Sequence, residues 1–135
     1  MKVFGCVDVF SSKFLYQFTD DSFNTVSYLN FLEAKVARNY YPHLVYYIQD
    51  NASYHRDADV WRWFKANQSW LKVKNLPPYC PELNAAELVW HHTRKEGMHN
   101  QYFNTKDEIA EKLKKVLYEI QKHPEQISGY MSQFL

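Results

Sequence analysis

Two acidic residues of this sequence lie in settings that suit chemistry on a phosphate ester. Asp50 opens the segment Asp-Asn-Ala-Ser-Tyr-His after a short apolar run, and Glu87 follows a proline-rich segment, with 36 residues between the two acids. Carboxylate oxygens are ligands that Mg²⁺ prefers, and two such ions can hold the attacking and leaving oxygens of a phosphodiester. The pair is therefore a candidate metal site for phosphoryl transfer.

These residues also have purely structural interpretations. An Asp-Asn pair after a strand is common in turns, because both side chains hydrogen-bond to nearby backbone. Glu87 lies three positions after Asn84, which is the spacing of a capping box at the start of a helix. His55 could support a phosphate site or be a structural histidine. His91, His92 and His99 have no partner cysteines or helical metal-ligand spacing, so they are assigned no metal.

The elements that must position the two acids follow from hydrophobic periodicity. Strand-like segments at 3–10 and 13–18 predict a hairpin. Apolar residues then recur at helical spacing from Phe23 to Val36, with Ser22 as the predicted N-cap. Residues 44–48 predict a strand buried on both faces, whose carboxyl end delivers Asp50.

The second half of the chain is mainly helical by the same criteria. It predicts a helix over 57–66 with Val60, Trp61 and Phe64 inward, and a strand over 71–76. A helix should then run from the N-cap Asn84 to about Lys95, with Gly97 as the residue that ends it, and another from Thr105 to about 120. This order predicts an α/β or α+β protein with one mixed sheet and helices against it.

Composition limits the classes of protein that fit. The chain has 135 residues, is 46% hydrophobic and 18% aromatic, which predicts one packed domain and argues against disorder. Its net charge of +1 means that any DNA contact must come from local patches. No run approaches the roughly 20 apolar residues of a membrane helix, and no signal peptide is recognisable, so a cytoplasmic location is expected. Cys6 and Cys80 should be reduced.

The two acidic segments together closely resemble the signature of DDE-type transposases of the IS630/Tc1/mariner superfamily. In that family, Asp-Asn-x-x-x-His ends a central strand, and Pro-Pro-x-x-Pro-x-Leu-Asn-Pro-x-Glu opens a later helix. Residues 77–87 follow the second pattern, with Ala85-Ala86 where the family usually has Pro-Ile. Trp90 and Lys95 resemble the Trp and Lys that follow the family's Glu, and residues 4–7 resemble its second strand.

The resemblance implies an RNase H-like α/β catalytic domain, with a mixed sheet flanked by helices. Asp50 and Glu87 would be its catalytic metal ligands, binding Mg²⁺, or Mn²⁺ as a substitute, as two ions in a complete site. The implied substrate is DNA, both transposon ends and target, so the protein would associate with the nucleoid in a prokaryote. Residues expected to support the site or face DNA are Asn51, His55, Asn84, Trp90 and Lys95.

The family's first strand, which carries the first catalytic Asp in the middle of the sheet, has no counterpart in residues 1–135. Asp8 is the sole candidate, but too few residues separate it from Asp50, and related domains have a noncatalytic Asp at this place in their second strand and turn. We therefore expect a single partial domain over 1–135, with a core over about 1–100 and a C-terminal helical segment over about 104–135.

Three functions remain open at this point. The chain could be part of an enzyme for DNA cleavage and strand transfer, completed by an upstream transposase segment or by rearrangement as a homodimer. It could instead be an inactive remnant that binds DNA or full-length transposase as a regulator. A nuclease of the same fold that uses Asp8 is the third alternative.

Several aromatic and basic residues have two interpretations. Helical spacing favours the core over base stacking for the aromatic residues Trp61, Trp63, Phe64 and Trp70. A DNA path and a solvated surface are equally good interpretations for the basic residues Arg56, Lys72, Lys74, Arg94 and Lys95.

Overall fold

The computed structural model describes residues 2–20, 22–99 and 101–135. Its strands are β1 (Lys2–Val7), β2 (Phe14–Thr19), β3 (Val45–Gln49) and β4 (Leu71–Asn75). The helices are α1 (Thr25–Phe31), a π-helical stretch (Leu32–Ala37), α2 (Arg38–Tyr40), α3 (Ala58–Ala66), α4 (Ala85–Gly97), α5 (Lys106–Lys122) and α6 (Ser128–Met131). Short 3₁₀ turns cover Ser53–Arg56, Pro81–Leu83, Pro124–Gln126 and Ser132–Phe134.

The described residues form two compact units. The first comprises 2–4 and 16–84, and the second comprises 5–15 and 85–135. β1 pairs with β2, as predicted for a hairpin, and β3 pairs with β4 in parallel. The predicted mixture of helices and strands is confirmed, but the described strands form two two-stranded sheets and not the one mixed sheet that the sequence predicted.

The long helical segment of the first unit begins two residues later than predicted. Asn24, and not Ser22, is the N-cap of α1: its side chain accepts from the Ser27 N–H at 2.9 Å, and the Ser27 hydroxyl accepts from the Asn24 N–H at 3.0 Å. This reciprocal capping box satisfies two backbone donors at once. Leu32 and Val36 are buried as predicted, whereas Val26 is 68% exposed, so the buried face is centred on Tyr28 and Phe31.

The parallel sheet is covered on one face only. Burial alternates along β3, with Tyr46 and Ile48 exposed and Gln49 buried. The prediction of a strand buried on both faces is therefore wrong, because its apolar residues alternate between a covered and an open face. On β4, Lys72 and Lys74 lie at the register positions of these two exposed residues.

The aromatic residues of α3 and of the following turn differ in how deeply they are buried. Val60, Phe64 and Trp70 are buried, which confirms the core interpretation for the last two. The Trp63 indole N–H donates to the Glu33 carboxylate across the unit. Trp61 was predicted to point inward but is 38% exposed, because it falls at the edge of the buried face of α3.

The second unit is a small helical core. Val89, Leu117, Ile120, Ile127 and Met131 are almost fully buried. The predicted capping of α5 is confirmed, since the Thr105 hydroxyl accepts from the Glu108 N–H at 3.2 Å. α4 ends at Gly97 as predicted, and a Cβ there would lie 2.8 Å from Cγ2 of Val116. This glycine allows α4 and α5 to approach closely.

Both cysteines are free thiols, as predicted. Burial raises the pKa of the Cys6 thiol to about 12, and the nearby Asp8 carboxylate adds to the increase. Cys6 is therefore protonated at neutral pH, which makes it a poor nucleophile. None of the described helices is both long and apolar enough to cross a membrane.

Candidate active site

Asp50 directly follows β3 at the edge where the parallel strands β3 and β4 both end. The Leu76 N–H donates to the Gln49 carbonyl at 2.8 Å, which extends the strand pairing to this edge. The Asn51 side-chain amide donates to the Leu76 carbonyl at 2.7 Å, so it links the segments that leave the two strands. The carboxyl ends of parallel strands are where open α/β sheets place their sites.

The carboxylate of Asp50 is held by two hydrogen bonds to one oxygen. Its Oδ1 accepts from the Ala52 N–H at 3.0 Å and lies 2.8 Å from Nδ1 of His55. The side chain is 53% exposed. The hydrogen bond from His55 holds the pKa of the Asp50 carboxyl below its usual value, with a smaller contribution from Ala52, while partial burial opposes the shift. Asp50 is therefore ionised at neutral pH.

His55 lies in the 3₁₀ turn after Asp50 and is buried. Its Nδ1 lies 2.9 Å from the backbone carbonyl of Asp50 as well as 2.8 Å from the carboxylate. Because both neighbours are acceptors, Nδ1 carries the ring proton. The ring packs at 4.4 Å between centroids against both Tyr28 and Tyr54. The sequence motif therefore brings Asp50, Asn51 and His55 together through local contacts.

A buried polar network behind Asp50 was not found from the sequence. Gln49 is 4% exposed, and its Oε1 accepts from the Tyr28 hydroxyl at 2.6 Å while its Nε2 donates to Asn75 Oδ1 at 2.8 Å. The Tyr28 and Tyr47 hydroxyls are also 2.9 Å apart. The sequence feature that could have indicated this network is a glutamine at the last position of an otherwise apolar strand. Such a residue needs buried partners, which here fix the end of β3.

Tyr54 completes the surroundings of the carboxylate. Burial raises the pKa of its hydroxyl to about 12, and the charge of Asp50 acts in the same direction. The ring lies 5.4 Å from Tyr28 and 5.9 Å from Phe4, between centroids. Tyr54 therefore stays protonated and serves as part of the aromatic support under His55.

Replacing His55 with alanine is expected to raise the pKa of the Asp50 carboxyl, because the main hydrogen bond to the ionised form is lost. Since the folded pKa lies below the value of about 3.9 for an unfolded Asp, this interaction stabilises the native state above that value and is lost as the pH falls through the folded pKa. Carboxyl ¹³C shifts followed against pH in metal-free buffer measure the change.

His43→Ala is the matched control for that titration, because His43 is exposed and precedes β3. It should leave the Asp50 titration unchanged. An Asp50 pKa that is the same in His55→Ala and the unaltered protein would show that the His55 ring does not keep the carboxylate ionised.

Glu87 lies in the first turn of α4, in the second unit, and is exposed. Asn84 immediately precedes α4, and its N–H donates to the Pro81 carbonyl at 3.0 Å. Trp90 packs edge-on against Phe14, with ring centroids 5.5 Å apart. Lys95 is exposed in the last turn. Glu87, Trp90 and Lys95 therefore lie on one helix, α4, and Asn84 directly precedes it.

Asp8 shapes a turn. Its Oδ1 accepts from the N–H groups of Phe10 and Ser11, at 2.9 and 3.2 Å.

In the part of the chain that the structure describes, no group of three or more His, Cys, Asp or Glu side chains could hold a metal ion. Asp50 itself offers an ionised, half-exposed oxygen donor, which is the kind of ligand that hard divalent cations take.

An α/β protein with an ionised carboxylate at the carboxyl end of a parallel strand has the arrangement of many enzymes that act on phosphate esters. Residues 1–110 match the family model described as DDE superfamily endonuclease. This is most of the chain, which therefore belongs to the DDE superfamily endonuclease family. Membership implies nuclease or transposase chemistry on DNA with divalent metal ions. No curated protein matches the sequence significantly.

Proposed function

We propose that this chain supplies two of the three metal-binding carboxylates of a DNA transposase catalytic domain of the IS630/Tc1/mariner type. Asp50 and Glu87 are the proposed ligands, and the third carboxylate comes from a strand outside residues 1–135. The observation that carries the proposal is the Asp50 carboxylate, ionised and half-exposed directly after β3, in a chain of the DDE family. An oxygen donor at a strand end suits Mg²⁺.

Bound Mg²⁺, with Mn²⁺ as a substitute, would neutralise phosphate charge and make water or a DNA 3′-OH a better nucleophile. The protein's own contribution is to hold the ligands ready. His55 and Ala52 keep Asp50 charged, so no proton has to leave it when a cation binds. Asn51 fixes the segment after β3 to the segment after β4. Glu87 carries its carboxylate near the N-terminus of α4.

The other residues of α4 receive supporting roles in this proposal. Trp90 packs on Phe14 and holds the helix that carries Glu87. Asn84 immediately precedes that helix and is proposed to cap its N-terminus. Lys95 is exposed and is proposed to face the DNA phosphates, since cations along a DNA path neutralise backbone charge.

The small size and the exposed face of the β3–β4 sheet support the proposal that a strand is missing. Parallel sheets are normally covered on both faces and paired within a larger sheet. Here β3 and β4 form a sheet of two strands, and Tyr46 and Ile48 on one face are 76% and 60% exposed. We propose that residues 1–135 are a partial RNase H-like domain, and that an upstream transposase segment or a second copy completes it.

Calorimetric titration with Mn²⁺ tests the proposed ligand directly in this chain. Asp50→Asn should weaken Mn²⁺ binding at least about tenfold, because the amide keeps the shape of the side chain but removes its charge. Asp59→Asn is the matched control, since Asp59 is an exposed acid in the same unit that pairs with Arg62 at 2.7 Å. This variant should bind Mn²⁺ as the unaltered protein does.

Equal Mn²⁺ binding by the unaltered protein and Asp50→Asn would remove Asp50 from the metal site. In that case an inactive remnant that binds DNA or full-length transposase as a regulator becomes the better interpretation. Light scattering adds a separate test of the missing strand: a stable monomer that gains no order when the upstream segment is added would count against completion by another chain.

A further inference from the structure

A concave site lies at the opposite end of the parallel strands from Asp50. It is an open depression of about 530 Å³, lined among others by Glu33, Arg38, Tyr41, Asn67, Ser69 and Trp70. Tyr41 precedes β3 and Trp70 immediately precedes β4, whereas Asp50 follows β3. The volume falls in the range of about 300–1,000 Å³ that small-molecule sites occupy.

The π-helical stretch gives the depression its polar wall. In a π-helix the hydrogen bonds join residues five apart, so side chains five apart lie closer to the same face than they do in an α-helix. Glu33 lies in this stretch, and Arg38 is the first residue after the stretch ends. In an α-helix these two side chains would point in clearly different directions. The π-helical geometry therefore presents an acid and a base to the same cavity.

The side chains of Glu33 and Arg38 differ in the hydrogen bonds that they already form. One oxygen of Glu33 accepts from the Trp63 indole N–H, which fixes the carboxylate and leaves its other oxygen as an acceptor. Within 2–20, 22–99 and 101–135, the guanidinium group of Arg38 has no hydrogen bond or ion pair, and the residue is exposed at the cavity wall. A ligand that fits must therefore bring both an anion for Arg38 and a donor for Glu33.

The floor and rim of the depression are aromatic. Tyr41 is 63% exposed, and its ring meets the buried Trp70 ring edge-on at 5.6 Å between centroids. Trp70 is fixed by a hydrogen bond from its indole N–H to Asn67 Oδ1 at 2.9 Å. A rigidly backed, exposed tyrosine ring is a surface on which a flat heterocycle stacks.

We propose that this depression binds a single unpaired nucleotide whose base carries an exocyclic amino group. The base stacks on Tyr41, its amino group donates to Glu33, and its phosphate pairs with Arg38. Arg forms bidentate hydrogen bonds with phosphate, and carboxylates accept from the amino group of cytosine. Thymine offers no such amino group, so it fits less well.

Nucleotide titrations followed by NMR test this site without metal or catalysis. The Trp70 indole N–H resonance, assigned through Trp70→Phe, reports on the cavity. We expect dCMP to shift this signal, and dTMP, deoxycytidine and inorganic phosphate to bind at least about tenfold more weakly, because dTMP lacks the amino group, deoxycytidine lacks the phosphate and inorganic phosphate lacks the base. Tighter binding of d(CCCC) than of dCMP identifies a strand as the natural source, and equal binding identifies a free nucleotide; both agree with the proposal.

Variants of exposed residues separate the contacts without disturbing the core. Arg38→Gln and Tyr41→Leu should each weaken dCMP binding about tenfold, and Glu33→Gln should reduce the preference for dCMP over dTMP. Arg62→Gln and Tyr46→Leu are the matched controls, since both residues are exposed in the same unit but outside the depression. Absence of a dCMP-dependent shift, or equal binding by Tyr41→Leu, overturns the proposal. Neither result bears on Asp50 or Glu87.

Discussion

Asp50→Asn is expected to reduce Mg²⁺-dependent DNA cleavage about a thousandfold in a complex where the missing strand is supplied. Loss of a charged metal ligand removes roughly 4 kcal/mol of transition-state stabilisation, and each 1.36 kcal/mol corresponds to tenfold in rate. The fold should survive, because the amide oxygen can still accept from Ala52 and His55. Nicking of supercoiled plasmid by the co-expressed segments, with and without Mg²⁺, measures the effect.

The same assay applies to Glu87→Gln, for which we expect a loss of similar size. Glu82→Gln is the matched control, since Glu82 is an exposed glutamate in the 3₁₀ turn just before α4. Its cleavage rate should stay within about threefold of the unaltered complex, as expected for a surface substitution. Cleavage by Asp50→Asn at the rate of the control would refute the role proposed for Asp50, even if Glu87→Gln were inactive.

The local part of the candidate site could be predicted because its residues are close in sequence. Asp50, Asn51 and His55 belong to one short segment, and their contacts form within a turn. The network around Gln49 could not be predicted in the same way, because Tyr28 lies 21 positions before it and Asn75 lies 26 positions after it. Such contacts depend on tertiary packing, which periodicity does not report.

The ends of the helices were predicted better than the π-helical stretch and the pairing of the strands. Thr105 capping α5 and Gly97 ending α4 follow from local chemistry, and the structure has both. The π-helical stretch, by contrast, has the sequence Leu-Glu-Ala-Lys-Val-Ala, whose residues mostly favour an ordinary α-helix. The single mixed sheet was expected from element order, which gives the type of each element but not which strands pair.

Gly5→Ala is expected to destabilise the native state by about 2 kcal/mol. A Cβ at Gly5 would lie 2.7 and 2.8 Å from the Trp90 atoms Cζ2 and Cη2, and 2.9 Å from Cζ of Phe14. All three distances are far below van der Waals contact, and Phe14 is fully buried, so its ring cannot move aside freely. Overpacking of this kind typically costs about 1–3 kcal/mol. Urea unfolding measures the change through the midpoint at constant slope.

Gly129→Ala provides the matched control, since no atom beyond its chain neighbours and its own helix backbone lies within 4 Å of the position where its Cβ would be. In the short helix α6 this substitution should be neutral or stabilise by up to about 1 kcal/mol, because alanine favours the helical conformation.

Trp90→Phe should offset part of the destabilisation caused by Gly5→Ala, since the smaller ring removes the two closest atoms. Residues in contact are expected to couple. If the changes in the free energy of unfolding caused by the two substitutions were additive, the Trp90 ring would not be the reason that alanine is unfavourable at position 5.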